Sequence, residues 1–219
     1  MTNIGDLPDE AFRRGRGGRP TQAEAERRHD ALLRTAADLF IEHGLQGVSV
    51  DAIARAAGVA KRFIYARYAD KGELFAAAIE RLIEDRTGPL YAYEVRDEPV
   101  EEGLLEFARR LLDLALKPQT LALFRMLIRE APRFPQLARL DAERNRHKGL
   151  VAIARVLRIY AERGEIALGN LEMLAELFGV LVVRSAQHRA LILGLEEPAH
   201  VERRLKAAIH LFLDGARPR

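Results

Sequence analysis

The segment Ser49-Val50-Asp51-Ala52-Ile53-Ala54-Arg55-Ala56-Ala57-Gly58-Val59-Ala60-Lys61-Arg62-Phe63-Ile64-Tyr65-Ala66-Arg67-Tyr68 fits two short helices joined by a turn. Ser49 can accept hydrogen bonds from the free amides that open the first helix. Ile53, Ala54 and Ala57 fall on its inward face, and Gly58 supplies the permissive backbone of a tight turn. Val59 then plugs the angle between the helices. The second helix, about Lys61 to Tyr68, carries Lys61, Arg62, Tyr65 and Arg67, a density of donors suited to a major groove and its phosphates. The pattern alone also fits a helical hairpin whose charges only solvate its outer face.

Outward from this segment the chain reads as helix throughout. Ala (34) and Leu (32) dominate its 219 residues and Trp is absent, a balance that favours helix over strand. Leu32, Leu33, Ala36, Leu39 and Phe40 recur at three and four residues, as do Leu74, Phe75, Ala78, Ile79, Leu82 and Ile83. Further stripes run through Leu104, Leu105, Ala108, Leu111, Leu112 and Ala115, and through Leu121, Phe124, Leu127 and Ile128. Proline stops them at Pro118 and at Pro132 and Pro135. A long helix is expected from about Gln136 to Arg163. Asn170 can cap a strongly apolar helix from Leu171 to Leu193, and a last helix runs from near Pro198 to Asp214. Residues 87–99 read as an irregular link. The expectation is an all-α chain of about nine helices: a flexible basic arm at 1–21, a three-helix helix-turn-helix domain at 22–70, and a second helical domain at 71–219.

Composition narrows the function classes. With 48% hydrophobic and 31% charged residues, the chain is neither a disordered polyelectrolyte nor a membrane protein. No apolar run approaches the roughly 18 residues that cross a bilayer. Residues 1–10 show no secretory h-region, and the absence of cysteine removes disulfides, thiolate metal sites and thiol nucleophiles, so a cytoplasmic address is expected. From Arg13 to Lys71 there are 12 Lys or Arg and 7 acids, a surplus of +5 against +3 for the whole chain. The N-terminal part therefore faces anions. Enzyme chemistry finds little support: the six histidines form no H-E-x-x-H pair, and neither a G-x-S-x-G elbow nor a Walker-type glycine loop is present. No metal and no cofactor are expected.

The stretch Ala31 to Leu74 resembles the DNA-binding domain of the TetR (tetracycline repressor) family. The likeness is carried by Leu32-Leu33, Ala36-Ala37, Leu39-Phe40, Gly44, Ser49-Val50, Ile53-Ala54, Ala57-Gly58-Val59, Ile64-Tyr65, Tyr68, Lys71 and Leu74 with their spacings intact. It implies that Ser49, Tyr65 and Lys71 anchor phosphates, with Lys61 and Arg62 at the groove-facing start of the recognition helix. Departures matter as well. Ala60 replaces the usual capping Ser, Phe63 a frequent Thr, and Arg67 an aromatic or histidine, so base preference cannot be copied from a relative. Arg62 could pair with guanine or with phosphate, and Phe63 could touch a thymine methyl. Arg16 and Arg19, within Arg13 to Pro20, could enter a minor groove, or that arm is simply a solubilising tail.

Beyond Ile83 the likeness weakens, although Arg125 to Leu140 is similar to the AefR-like branch. The resemblance implies a second domain that encloses a pocket for a small hydrophobic or amphipathic effector and forms a homodimer through its last two helices. Pocket candidates are Phe107, Leu111, Phe124, Leu127 and Ile128, with Arg125, Arg129 or His147 as polar anchors; the alternative is that the apolar ones are core and the arginines point to water. Phe178, Leu181, Val182, Ser185, Leu205, Ile209 and Phe212 are the dimer candidates, or they close their own domain. The expected function is that of a ligand-responsive regulator, a repressor, which binds a palindromic operator in double-stranded DNA as a dimer. The rival is a helical carrier of small molecules or lipids without specific DNA binding; salt-insensitive behaviour toward duplex DNA would mark it.

Overall fold

Local signals set several helix starts. Thr21 caps the first helix by accepting from Glu24 N at 3.3 Å, Ser49 the second from Ala52 N at 3.1 Å, Asp70 the fourth from Glu73 N at 2.9 Å, and Asn170 the eighth from Met173 N at 3.0 Å. The computed structural model describes residues 21–132, 146–167 and 169–216. Within them lie α1 (Gln22–Gly47), α2 (Val50–Ala56), α3 (Lys61–Tyr65), α4 (Lys71–Tyr91), α5 (Val100–Ala115), α6 (Pro118–Glu130), α7 (Arg146–Glu162), α8 (Leu171–Gly179), α9 (Ser185–Leu193) and α10 (Pro198–Ala216). A π-helical turn, Val180–Arg184, joins α8 to α9 into one rod, so nine helical rods and no strand occur among the described residues.

Two boundaries differ from the sequence reading. Helix α3 ends at Tyr65 and not near Tyr68. Helix α4 runs to Tyr91, through what reads as a link from residue 87. Pro89 sits in its last turn, where a missing N–H leaves only the carbonyl four residues back without a donor. The helix expected from Gln136 is described from Arg146; its start lies outside the described residues, as does the Arg13 to Pro20 arm.

Burial gathers into two clusters. The first joins Leu32, Ala36 and Phe40 of α1, Ile53 of α2 and Ile64 of α3 to Leu74, Phe75, Ala78 and Ile79 of α4. Leu123, Met126 and Leu127 of α6 complete it, so the packing of the N-terminal unit does not stop at residue 70. Phe40 and Phe75 meet edge to face at 5.0 Å between centroids. Across the outer side of α1 and α4, Arg34 pairs with Asp85 at 3.0 Å and Arg81 with Asp30 and Asp85 at 3.4 and 3.0 Å. The second cluster lies among α5, α7, the α8–α9 rod and α10, around Phe107, Leu157, Tyr160 and Phe178.

Gly44 bends α1 where α6 crosses it. Its φ of 75° and ψ of 168° form a conformation open almost only to glycine. A Cβ there would also stand 2.6 Å from Arg129 Nη2 and 3.0 Å from Glu130 Oε1 at the end of α6. Gly44→Ala is expected to destabilise the protein by about 1–3 kcal/mol, read as a lowered urea midpoint at unchanged m-value.

Candidate functional site

The head presents α3 outward on a well-fixed base. Gly58 takes φ 65° between α2 and α3, and Ala60, at the cap position of α3, makes no side-chain capping bond. Ile64 of α3 is buried, whereas Lys61, Arg62 and Tyr65 are exposed, Tyr65 at 49%. Lys61 Nζ sits 2.9 Å from Asp51 of α2 and 5.8 Å from the centre of the Tyr65 ring. The hydrogen bond to Asp51, then its charge, raises the Lys61 pKa, and so this cation is partly spent inside the motif. Arg62 has no ion-pair partner among the described residues.

Two other candidates are engaged internally. Lys71 Nζ donates to Val48 O at 3.1 Å, tying the start of α4 to the α1–α2 turn. Arg67 lies over the Phe63 ring at 3.8 Å and donates to Phe63 O at 3.1 Å, and Phe63 itself is half-buried against the first core. Ser49 is exposed while capping α2. Arg16 and Arg19 lie outside the described residues.

Sequence reasoning missed what holds α3 onto α1. His29 Nε2 and the Tyr68 hydroxyl share a hydrogen bond at 2.6 Å, and their rings stack at 6.0 Å. Burial first, and the Arg67 charge second, lower the His29 pKa below 6.5, with Asp30 opposing; burial raises that of Tyr68. The signal was the Tyr68 already present in the motif; its partner 39 residues earlier shows only once α1 folds over it.

Behind the head, a cavity of about 240 Å³ opens between α4, α5, α6, α7 and the α8–α9 rod. Leu111, Phe124 and Leu127 line it as expected. Phe107 does not; it is fully buried in the second core against Tyr93. Arg125, Ile128 and Arg129 are exposed and are not among the lining residues, and the His147 side chain lies outside those described. The polar lining that sequence reasoning missed is Arg86, Thr87, Thr120 and Gln187, with the exposed Glu176 and Arg184. A signal existed: Ile83, Arg86, Thr87 and Leu90 form one stripe of α4, and Thr120, Leu123, Phe124 and Leu127 the same stripe of α6.

The dimer candidates also divide. Phe178, Val182, Leu205, Ile209 and Phe212 are buried in the second core of their own protomer, and Ser185 donates to Leu181 O at 2.6 Å within the rod. Those five close their own domain and present no free face. The exposed apolar side chains of these helices include Met173, Leu177 and Val180 on one stripe of the rod, Ile192 and Leu193 at its C-terminal end, and Leu211 on α10 at 63% exposure.

Comparison with known proteins places the same two units side by side. The family described as "Bacterial regulatory proteins, tetR family" matches residues 32–78, and "AefR-like transcriptional repressor, C-terminal domain" matches residues 102–215. The HTH-type transcriptional repressor SCO4008 of Streptomyces coelicolor is 34% identical over 137 residues, 62% of this chain and 65% of that protein. The HTH-type transcriptional activator FasR of Mycolicibacterium smegmatis is 32% identical over 88 residues, 37% of this chain and 40% of that one. The chain thus spans less than two thirds of these curated relatives. Among solved structures, the flavonoid-responsive regulator FrrA superposes with a TM-score of 0.71 at 31% identity, covering 89% of this chain and 99% of that one. A TetR-family regulator from Mesorhizobium loti superposes at 0.72 with 27% identity, covering 89% and 98%.

The His29–Tyr68 pair gives a pH dependence. Because folding lowers the His29 pKa, the stability it confers is present in full above 6.5, the unfolded value, and is lost as pH falls from there through the lower folded value. In urea melts between pH 7.5 and 5, His29→Phe is expected to lose less stability on acidification than the parent; an identical loss would remove the pair from this account.

Proposed function

The chain belongs to the TetR family of bacterial transcriptional regulators, with an AefR-like C-terminal domain, and from that premise we propose that it is a repressor. In this reading a homodimer holds a palindromic operator and releases it when a small molecule enters the cavity. The observation that carries the reading is the joining of an exposed, cationic α3 to a cavity through shared helices. Helix α4 gives Leu74, Phe75, Ala78 and Ile79 to the head and Ile83, Arg86, Thr87 and Leu90 to the cavity lining. Leu123 and Leu127 of α6 belong to both.

For DNA, Arg62 and Tyr65 are free to meet base edges and phosphates, while Lys61, Ser49 and Lys71 meet the backbone from positions fixed by Asp51, Ala52 N and Val48 O. Two α3 helices enter successive major grooves on one face only if about 34 Å separates them, one turn of B-DNA. A second copy of this chain sets that separation, seated on Met173, Leu177, Val180 and Leu211. A ligand that presses on α4 and α6 changes the separation. A coupling of about 1–3 kcal/mol suffices to shift DNA affinity 5- to 150-fold. No helix among the described residues is long and apolar enough to cross a membrane.

Three experiments test this. Selection from a random duplex library with the full chain, at two salt concentrations, is expected to enrich a sequence with dyad symmetry; retention at low salt without a motif would overturn the reading. On the enriched duplex, Arg62→Ala is expected to relax preference at one base pair per half-site, at about 1–3 kcal/mol, whereas Lys61→Ala weakens all sequences and lowers the salt slope by about 1. In sedimentation equilibrium, the double variant Leu177→Glu, Leu211→Glu is expected to run as a folded monomer; a persistent dimer would move the interface elsewhere.

A further inference from the structure

The small-molecule reading above leaves open what chemistry the cavity selects, and Arg86 answers it. This arginine lines the cavity from α4, and its only hydrogen bond among the described residues goes to Thr120 Oγ1 at 3.3 Å. A guanidinium carries five N–H donors, so most of its capacity is unused. Thr120 donates its own proton to Leu114 O at 2.9 Å and therefore acts on Arg86 only as an acceptor that orients it. No carboxylate of the described residues lies within ion-pair distance; Asp38 acts on Arg86 only through its field. Burial lowers the Arg86 pKa, yet an arginine does not give up its proton, so the cost of burial stays with the folded protein until an anion offsets it.

The remaining lining fits an apolar body. Leu90, Leu111, Phe124, Leu150 and Ile153 surround the cavity, and the other charged lining residues, Arg184 and Glu176, are exposed. Its volume, about 240 Å³, falls below the roughly 300–1,000 Å³ of drug-sized sites. We propose that the cavity takes a small apolar molecule bearing a carboxylate, and that Arg86 holds the carboxylate with paired N–H donors. A single half-buried guanidinium matches one negative charge; a phosphate dianion would bring two. Because Arg86 stands on α4, the anion draws on the helix whose first half is built into the DNA-binding head.

The proposal rests on the small-molecule reading, and the test separates the two. Decanoate, decan-1-ol, decylamine and decyl phosphate, each below its micelle concentration, are titrated into the full chain by calorimetry, with the neutral dye N-phenyl-1-naphthylamine as a charge-blind probe. Decanoate is expected to bind at least about tenfold more tightly than decan-1-ol, equivalent to 1.4 kcal/mol, and decylamine most weakly. Arg86→Met is expected to abolish that preference while still binding decan-1-ol, which also shows that the variant folds. Arg86→Lys, a second variant that keeps the charge but not the fork, is expected to keep part of the preference. Equal affinities in the parent, or a preference that survives in Arg86→Met, overturn the proposal; so does decyl phosphate binding more tightly than decanoate. If the dye binds and only the charge preference is missing, the carboxylate assignment alone fails. If neither dye nor any alkyl probe binds, the small-molecule reading fails with it.

Discussion

The seating of α6 against α1 is the contact on which the rest of the molecule depends. Leu123, Met126 and Leu127 of α6 complete the core beneath α3. Each such side chain contributes about 1.5–3 kcal/mol when fully buried. The crossing is close because Gly44 has no Cβ and bends α1 just where Arg129 and Glu130 approach. Glu130 is buried there with Arg129 Nε 3.2 Å from its Oε1. Packed interiors switch between arrangements and do not stretch. A change in the cavity that displaces Leu123 or Leu127 is therefore felt directly by α1.

The polar side chains of the head follow the same economy. Lys71, Arg67 and Lys61 each hold a neighbouring piece of the motif: the Val48 carbonyl, the Phe63 ring and the Asp51 carboxylate. Those contacts fix the angle and height of α3 above α1, together with the His29–Tyr68 pair. Arg62 and Tyr65 stay exposed on α3. A motif match assigns residues to DNA by type, but several of the matched side chains hold the folded head together.

How much of this was legible in the sequence depended on how local its cause was. Ser49, Gly58 and Asn170 act within three or four residues of themselves, so these caps and the turn could be read from the chain alone. Stripes such as Leu32 to Phe40 and Leu104 to Ala115 likewise specified faces. The cavity was harder, because five helical segments each give it one or two turns and no single segment looks like a site. Arg86 was hidden further because residues 87–99 read as a link, whereas the helix continues to Tyr91. Phe178 and Phe212 are a related case: large apolar side chains of the rod and of α10 go to the protomer's own core, where these two meet edge to face at 5.1 Å. Other apolar side chains of the rod, Met173, Leu177 and Val180, stay exposed, and hydrophobicity alone does not distinguish the two sets.

The central claim is that α6 belongs to the DNA-binding head by packing while it lines the cavity by position. Native-state hydrogen exchange of the full chain, followed segment by segment in increasing denaturant, measures this without DNA or ligand. If α6 is built into the head, the amides of residues 121–130 open together with those of residues 32–40 and 74–79, at one free energy and one denaturant slope. Exchange of α6 in step with α5 and α7, while α1 and the first half of α4 stay protected, would contradict it.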